Sequence, residues 1–219
     1  MSSKTNWQSV DTSVRSVPPR LWKGAKALGA VYELNDHCLQ VLSALASAEP
    51  LKCPLSIVMH QRPLWGALDA EARRRAAQNP VALLDMQFKS EEWWQKALQR
   101  SSKRWNQMPP PDECFPGNQA RKLARETLML AWPTARDDQH AACLMFGMSS
   151  SVAARVAALT PQHIEQIASR HSRELRPRWE HIPMYWRSLL VAAQGGDDAA
   201  LREVHLYSLQ LIASEIQKI

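Results

Sequence analysis

AACLMFGMSSSVAARVAALTPQHIEQIA, residues 141–168, is the stretch that decides the fold. Gly147 permits a tight turn between two short apolar helices, and Ser149 can cap the second of them. Thr160-Pro161 then starts a third helix, because Thr accepts a hydrogen bond from a free N–H group and Pro suits the first turn. Three short helices joined by tight turns predict a helical bundle.

The composition of the whole chain favours the same fold class. The 219 residues are 45% apolar and include only 7 glycines, 3 tyrosines and 3 phenylalanines. Ala, Leu, Arg, Gln and Glu lose little conformational freedom on entering a helix, and they dominate here. Alternating runs of β-branched and aromatic residues, which are typical of strands, are few. We therefore predict an all-α protein, a multi-helix bundle.

Proline marks a boundary between two helical halves. The run NQMPPPDECFPGN, residues 106–118, cannot continue a helix and predicts a stiff Pro-rich connector. We expect a mobile tail at 1–17, an N-terminal helical region at 18–105 and a C-terminal helical domain at 119–219.

Three local segments carry their own predictions. LSIVM, residues 55–59, predicts a short strand or a buried loop. VALLDMQF, residues 81–88, fits either a strand or a buried helix. The helix that begins at Gln119 is expected to end at Trp132-Pro133, since proline disrupts a helix interior.

Residues 141–159 also fit a helix-turn-helix, the motif that places its second helix in the DNA major groove. The outward positions of that second helix are Ser150, Ser151, Ala154 and Arg155. Bases are read mainly by Arg, Asn and Gln, and this face holds one of them. The same pattern fits two ordinary bundle helices joined by a glycine turn.

A family resemblance covers residues 147–179. The chain matches a pattern without a gap at Gly147-Met148 (Gly-Ile), Val152-Ala153 (Met-Ala), Ala157-Ala158-Leu159-Thr160 (Ala-Ala-Leu-Thr), Ile167-Ala168 (Leu-Ala) and Pro177-Arg178-Trp179 (Phe-Arg-Phe). This segment resembles FlhD, the helical subunit of the flagellar transcriptional activator. Leu175 stands where that family has a cysteine, and residues 1–118 have no counterpart. The resemblance implies an all-α module that dimerises and binds DNA with a partner subunit.

Basic residues near this segment are candidates for nucleic-acid binding. With the outward positions of the second helix, the candidate residues are Ser150, Ser151, Arg155, Arg170, Arg173, Arg176 and Arg178. Arginines spaced along a helix end can neutralise phosphates. They also complement the helix dipole or form a solvated face, and these readings remain open.

Tryptophan is abundant, with 9 residues in the chain. Most are expected in the core, where their buried area contributes most. One or two on an exposed face would bind a partner, and we expect Trp179 and Trp186 to do so.

Sequence patterns of catalysis and cofactor binding are missing. The chain has no Gly-rich phosphate loop, no G-x-S-x-G and no H-E-x-x-H. His140 and Cys143 could form half of a zinc site, but no second pair has suitable spacing. We expect a protein that is not an enzyme and holds no cofactor or metal.

The location follows by elimination. The N-terminal MSSKTNWQSVDTS has no apolar segment of a secretory signal, and no stretch approaches the roughly 20 apolar residues that span a bilayer. The four cysteines form no C-x-x-C pair and are expected to be reduced. These features predict a cytoplasmic protein. Its net charge of +6 suits nucleic acid or acidic protein partners.

Two functional hypotheses follow. The first is a regulatory protein of transcription, FlhD-like, that acts through dimerisation and a protein partner. The second is an adaptor or structural component of a bacterial multi-protein machine, such as a secretion system, with no DNA binding.

Overall fold

The computed structural model describes residues 24–48, 55–98 and 113–216. The predicted tail at 1–17 and residues 106–112 of the predicted connector lie outside these ranges. Helices dominate the described residues, which confirms the all-α prediction. The helices are α1 (Gly24–Ser47), α2 (Ser56–Met59), α3 (Arg62–Gly66), α4 (Ala70–Ala77), α5 (Glu91–Ala97), α6 (Gly117–Asp137), α7 (Gln139–Phe146), α8 (Ser150–Ala157), α9 (Pro161–Arg170), α10 (Pro183–Gln194) and α11 (Asp198–Ile216).

Local side-chain capping sets the starts of several of these helices. The side chains of Ser90, Asp138 and Ser149 accept hydrogen bonds from backbone N–H groups at the starts of α5, α7 and α8. Thr160 and His163 form a reciprocal capping box at the start of α9, with Pro161 in the first turn. The predicted starts at Ser149 and Thr160 are confirmed, since each depends on residues close together in the chain.

Two local predictions are wrong. Residues 56–59 form α2, a single turn of helix, rather than a strand or loop, because both Ile57 and Val58 reach the core from one turn. Helix α6 continues through Pro133 to Asp137. Pro133 removes one backbone donor near the helix end, and its ring is exposed, so the last turn still forms.

The ambiguous segment at 81–88 contains a strand. Strand β1 (Leu84–Asp85) pairs antiparallel with strand β2 (Arg176–Pro177), with Leu84 opposite Pro177 and Asp85 opposite Arg176. A 3-10 helix at Ser172–Glu174 leads from α9 into β2. The pairing brings a loop of the first half onto the second half.

Helix α6 lies at the centre of the fold. It packs against α1, α7, α8 and α9. One side of it is buried, at positions three and four residues apart, from Ala120 and Leu123 to Ala131 and Ala135. The opposite side faces solvent.

The two predicted halves share one hydrophobic core. Helix α1 packs against α6, and α4 packs against α10. The rings of Trp65 and Trp186 contact each other, with centroids 5.9 Å apart. The Pro-rich segment therefore joins two parts of one core rather than two separate cores.

Candidate partner-binding site

The turn between α7 and α8 is built as the sequence predicts. Gly147 ends α7 with a φ of 60°, in the left-handed region that favours glycine. A Cβ atom at this position would overlap Nη1 of Arg178 and lie 2.9 Å from Cδ1 of Ile212. Glycine is thus required by the turn and by the close approach of a buried arginine.

Replacing Gly147 by alanine should lower the free energy of unfolding by about 2 kcal/mol, because strain at positive φ and overlap with Arg178 add. Gly147→Asn should cost less than Gly147→Ala but remain destabilising, since asparagine tolerates the backbone angle better while its Cβ still overlaps Arg178. Gly29→Ala in α1 is the control and should be neutral or stabilising, because no atom lies within 4 Å of the position that its new methyl group would take. Urea denaturation of the three variants checks this. A neutral Gly147→Asn would mean that the angle alone selects glycine.

The outward side of α8 is covered by a carboxylate. Nη2 of Arg155 contacts Oε1 of Glu91, at the start of α5, at 2.7 Å. Hydrogen bonds from Arg155 and Ser151 lower the pKa of the Glu91 carboxyl, which is therefore ionised at neutral pH. Ser150 is exposed, but a negative charge beside it would repel DNA phosphates.

The candidate arginines beyond α8 differ in their surroundings. Arg173 pairs with Glu113 at 2.6 Å, and Arg176 pairs with Glu180 at 2.9 Å. Arg170 is exposed at the end of α9. Two of these three guanidinium groups thus already have a carboxylate partner in the same chain.

Arg178 is a structural residue, and its predicted contact with phosphate is wrong. Only 2% of it is exposed. Its guanidinium donates hydrogen bonds to the carbonyl oxygens of Ala82, Leu84 and Phe146. The carboxylate of Glu215 on α11 lies 3.6 Å away. The side chain joins β1, α7 and α11 and cannot reach a nucleic acid.

Trp179 and Trp186 are also buried, which contradicts their predicted role as exposed partner anchors. They are 3% and 0% exposed. The indole N–H of Trp179 donates to Glu215, and that of Trp186 donates to the backbone oxygen of Arg178. Both indoles satisfy their donors inside the core, as buried tryptophans do.

An open cavity of about 400 Å³ adjoins this cluster. Trp179 and Gln87 both line it, and both have positive φ values, 55° and 56°. Its charged groups pair with one another: Lys89 contacts Glu215 at 2.7 Å, and Arg176 contacts Glu180. Burial raises the pKa of Glu174, at the same rim. Paired charges therefore line the cavity beside the two residues that have positive φ values.

The solvent-facing side of α6 is a surface that the sequence predictions missed. We define the α6 face by the residues that recur three or four positions apart opposite the buried side: Arg121, Lys122, Arg125, Met129, Trp132, Pro133 and Arg136. Glu126, whose side chain is 39% exposed, borders the face between Lys122 and Met129 and pairs with His37 of α1. Reading the period of the exposed positions, as well as that of the apolar ones, would have found this face.

Other large apolar side chains are exposed on α7, α10 and α11. They are Leu144, Met184, Val191, Leu206, Tyr207 and Leu209. Leu206, Tyr207 and Leu209 lie close together on α11, and Met184 and Val191 lie on α10, which packs against it. The α6 face differs because it joins exposed apolar and basic residues in one stripe.

Metal and membrane sites are absent from the ranges that the structure describes. These residues contain no group of three or more His, Cys, Asp or Glu that could hold a metal ion. Cys143 is half-buried, and burial raises the pKa of its thiol. No helix among the described elements has the length and apolarity to cross a membrane.

Comparison of the chain with protein-family models, with curated proteins and with solved structures finds no match. The FlhD-like character of residues 147–179 therefore stays a prediction.

Proposed function

We propose that this chain is a non-enzymatic adaptor, a component of a multi-protein assembly that binds protein partners through exposed helical faces. The observation that carries the proposal is the α6 face, a continuous stripe of basic and apolar side chains on a helix held rigidly by the core. Arginine, methionine and tryptophan are enriched at protein interfaces.

The competing function is transcription regulation by direct DNA contact. Its predicted reading face on α8 carries the Glu91 carboxylate, and Arg178 is buried. Arg173 is paired with Glu113. These contacts favour the adaptor over a DNA-binding protein. Regulation through a partner subunit that itself binds DNA remains compatible with the adaptor.

Binding to DNA decides between the two functions. We expect fluorescence anisotropy with labelled duplexes of mixed sequence to give only non-specific binding, with a Kd of about 1 µM or weaker at physiological salt. Glu91→Gln removes the charge that would repel phosphate, and it should leave this weak binding unchanged if α8 does not contact DNA. The double variant Arg170→Ala/Arg173→Ala tests whether these two candidate arginines contact DNA.

The opposite results would overturn the adaptor proposal. They are saturable binding of the wild-type chain to one DNA sequence, tightened by Glu91→Gln and abolished by Arg170→Ala/Arg173→Ala. Circular dichroism of each variant controls for folding, since all three residues lie at the surface and should change stability by less than about 0.5 kcal/mol.

A further inference from the structure

The α6 face extends along one helix and has two chemically distinct ends. The face runs from Arg121 to Arg136 along the 21-residue helix α6, so it is about 23 Å long. Arg121, Lys122 and Arg125 form its basic end, near the helix N-terminus. Met129, Trp132 and Pro133 form its apolar end. A partner that covers the face must therefore offer negative charge at one end and an apolar group at the other.

The basic end is not explained by the stability of the helix. The helix dipole gives no reason for cations here, because its positive end disfavours them in the first turn and its effect has faded at Arg121 and Lys122 in the second turn. The first turn of α6 carries no acidic residue that would offset them. Arg121 and Lys122 form no ion pair with any residue that the structure describes. Their charge is available to a binding partner.

Ion pairs link α6 to α9 and the segment that follows it. Arg125 forms an ion pair with Glu165 of α9, and Arg173 forms one with Glu113, just before α6. These two pairs show that α6 and α9 run side by side in opposite directions. Because Arg125 is paired, Arg121 and Lys122 are the unpaired cations of the basic end among the described residues.

The apolar end has the composition of an interface. Met129 is 40% exposed, although it lies on a central helix. The guanidinium carbon of Arg136 lies 5.2 Å from the ring centroid of Trp132, which holds that aromatic surface in place. Large side chains that are already ordered lose little entropy on binding.

We propose that the α6 face binds an acidic segment of a protein partner. Carboxylates of the segment contact Arg121 and Lys122, and an apolar side chain of it packs on Met129 and Trp132. The inference rests on the proposed adaptor function and names the chemistry of the partner.

A nucleic acid fits the same face less well. The basic end has two unpaired cations among the described residues, Arg121 and Lys122, and these neutralise few phosphates, whereas DNA-binding surfaces make many such contacts. A phosphodiester backbone also has no apolar group to cover Met129.

Photo-crosslinking from the α6 face tests the inference in the full chain. Met129→benzoylphenylalanine is expressed in the native cells, with Leu206→benzoylphenylalanine on α11 as the matched exposed control. We expect Met129→benzoylphenylalanine to capture a protein segment rich in Asp and Glu. We expect Arg121→Glu/Lys122→Glu to abolish that capture. The control reversal Arg187→Glu/Arg202→Glu, on α10 and α11, should preserve it.

Binding of a synthetic peptide that copies the captured segment gives the magnitude. Arg121→Glu/Lys122→Glu should weaken its Kd at least tenfold, or about 1.4 kcal/mol. Changing the peptide's Asp and Glu to Asn and Gln should have the same effect. Charge reversal near the start of α6 favours the helix dipole, so the variant should fold, and circular dichroism checks this.

Five outcomes would overturn the inference. Capture of nucleic acid at 129, capture of a segment without acidic residues, or a peptide Kd unaffected by charge reversal each contradict it. Capture of a protein at 206 but of nothing at 129 contradicts it while leaving the adaptor function standing. Failure to capture any protein at either position would contradict the adaptor function as well.

Discussion

Replacing Arg178 by alanine is expected to lower the free energy of unfolding by about 4 kcal/mol, because removal of a buried charged partner is strongly destabilising. The guanidinium is 2% exposed and donates to the carbonyls of Ala82, Leu84 and Phe146. Without it, these buried carbonyl oxygens lose a donor, and Glu215 keeps its contacts with Lys89 and the indole N–H of Trp179. Urea denaturation monitored by circular dichroism measures the change.

Two further variants separate charge from geometry at this position. Arg178→Lys keeps the charge but should still cost several kcal/mol, since one compact ammonium group cannot replace the planar fork that reaches carbonyls on different elements. Arg187→Ala, at an exposed position of α10, is the control and should change stability by less than about 0.5 kcal/mol. If Arg178→Ala proved as stable as Arg187→Ala, the result would contradict the structural role of Arg178.

Arg178 also illustrates why part of the site could not be predicted. From the sequence it belongs to a run of arginines spaced like a phosphate-binding surface. Its burial depends on Leu84, Phe146 and Glu215, which are distant in the chain and meet only in the fold. The prediction for Trp186 is wrong for the same reason, because Trp65 covers it from the other half. The sequence around Arg178 and Trp186 does not indicate which distant residues will bury them.

The elements that were predicted correctly depend on short-range chemistry. Ser149 and Thr160 cap helices through N–H groups three residues away, and Gly147 turns the chain at its own φ. These signals lie within one turn, so the sequence contains them in full. The end of α6 was predicted too early, because the rule that proline breaks a helix neglects how weakly a proline near the last turn perturbs it.

The α6 face falls between these cases. Its residues share one helix, so their alignment follows from the 3.6-residue period alone. Which side of α6 faces solvent could also be inferred, since Leu123, Leu128 and Ala131 mark the buried side. The proximity of α9 could not be inferred from the sequence, because it depends on how α6 and α9 pack. The face could be predicted, and its surroundings could not.

Asn35 on α1 holds the same loop as Arg178 from the opposite side. The side chain is fully buried, and its amide donates towards the carbonyl oxygens of Ala77, Asn79 and Val81 at 3.0–3.3 Å. Its carbonyl oxygen accepts the N–H of Leu83 at 2.8 Å. The backbone oxygen of Leu83 in turn accepts the N–H of Arg178. One side chain thus provides hydrogen-bond partners for several backbone groups of the loop that leads into β1.

We expect Asn35→Ala to lower the free energy of unfolding by about 3 kcal/mol, because it leaves several buried backbone groups without a partner. Gln40→Ala, at an exposed position of the same helix, should change it by less than about 0.5 kcal/mol, and equal stability of the two variants would contradict the role of Asn35. Combining Asn35→Ala with Arg178→Ala should cost less than the sum of the two, since both side chains hold the segment around Leu83 and the second loss acts on a loop already released. Strict additivity would mean that the loop is held at two independent points. A smaller combined loss, measured by urea denaturation, would mean that α1, β1, α7 and α11 are stabilised through one shared segment.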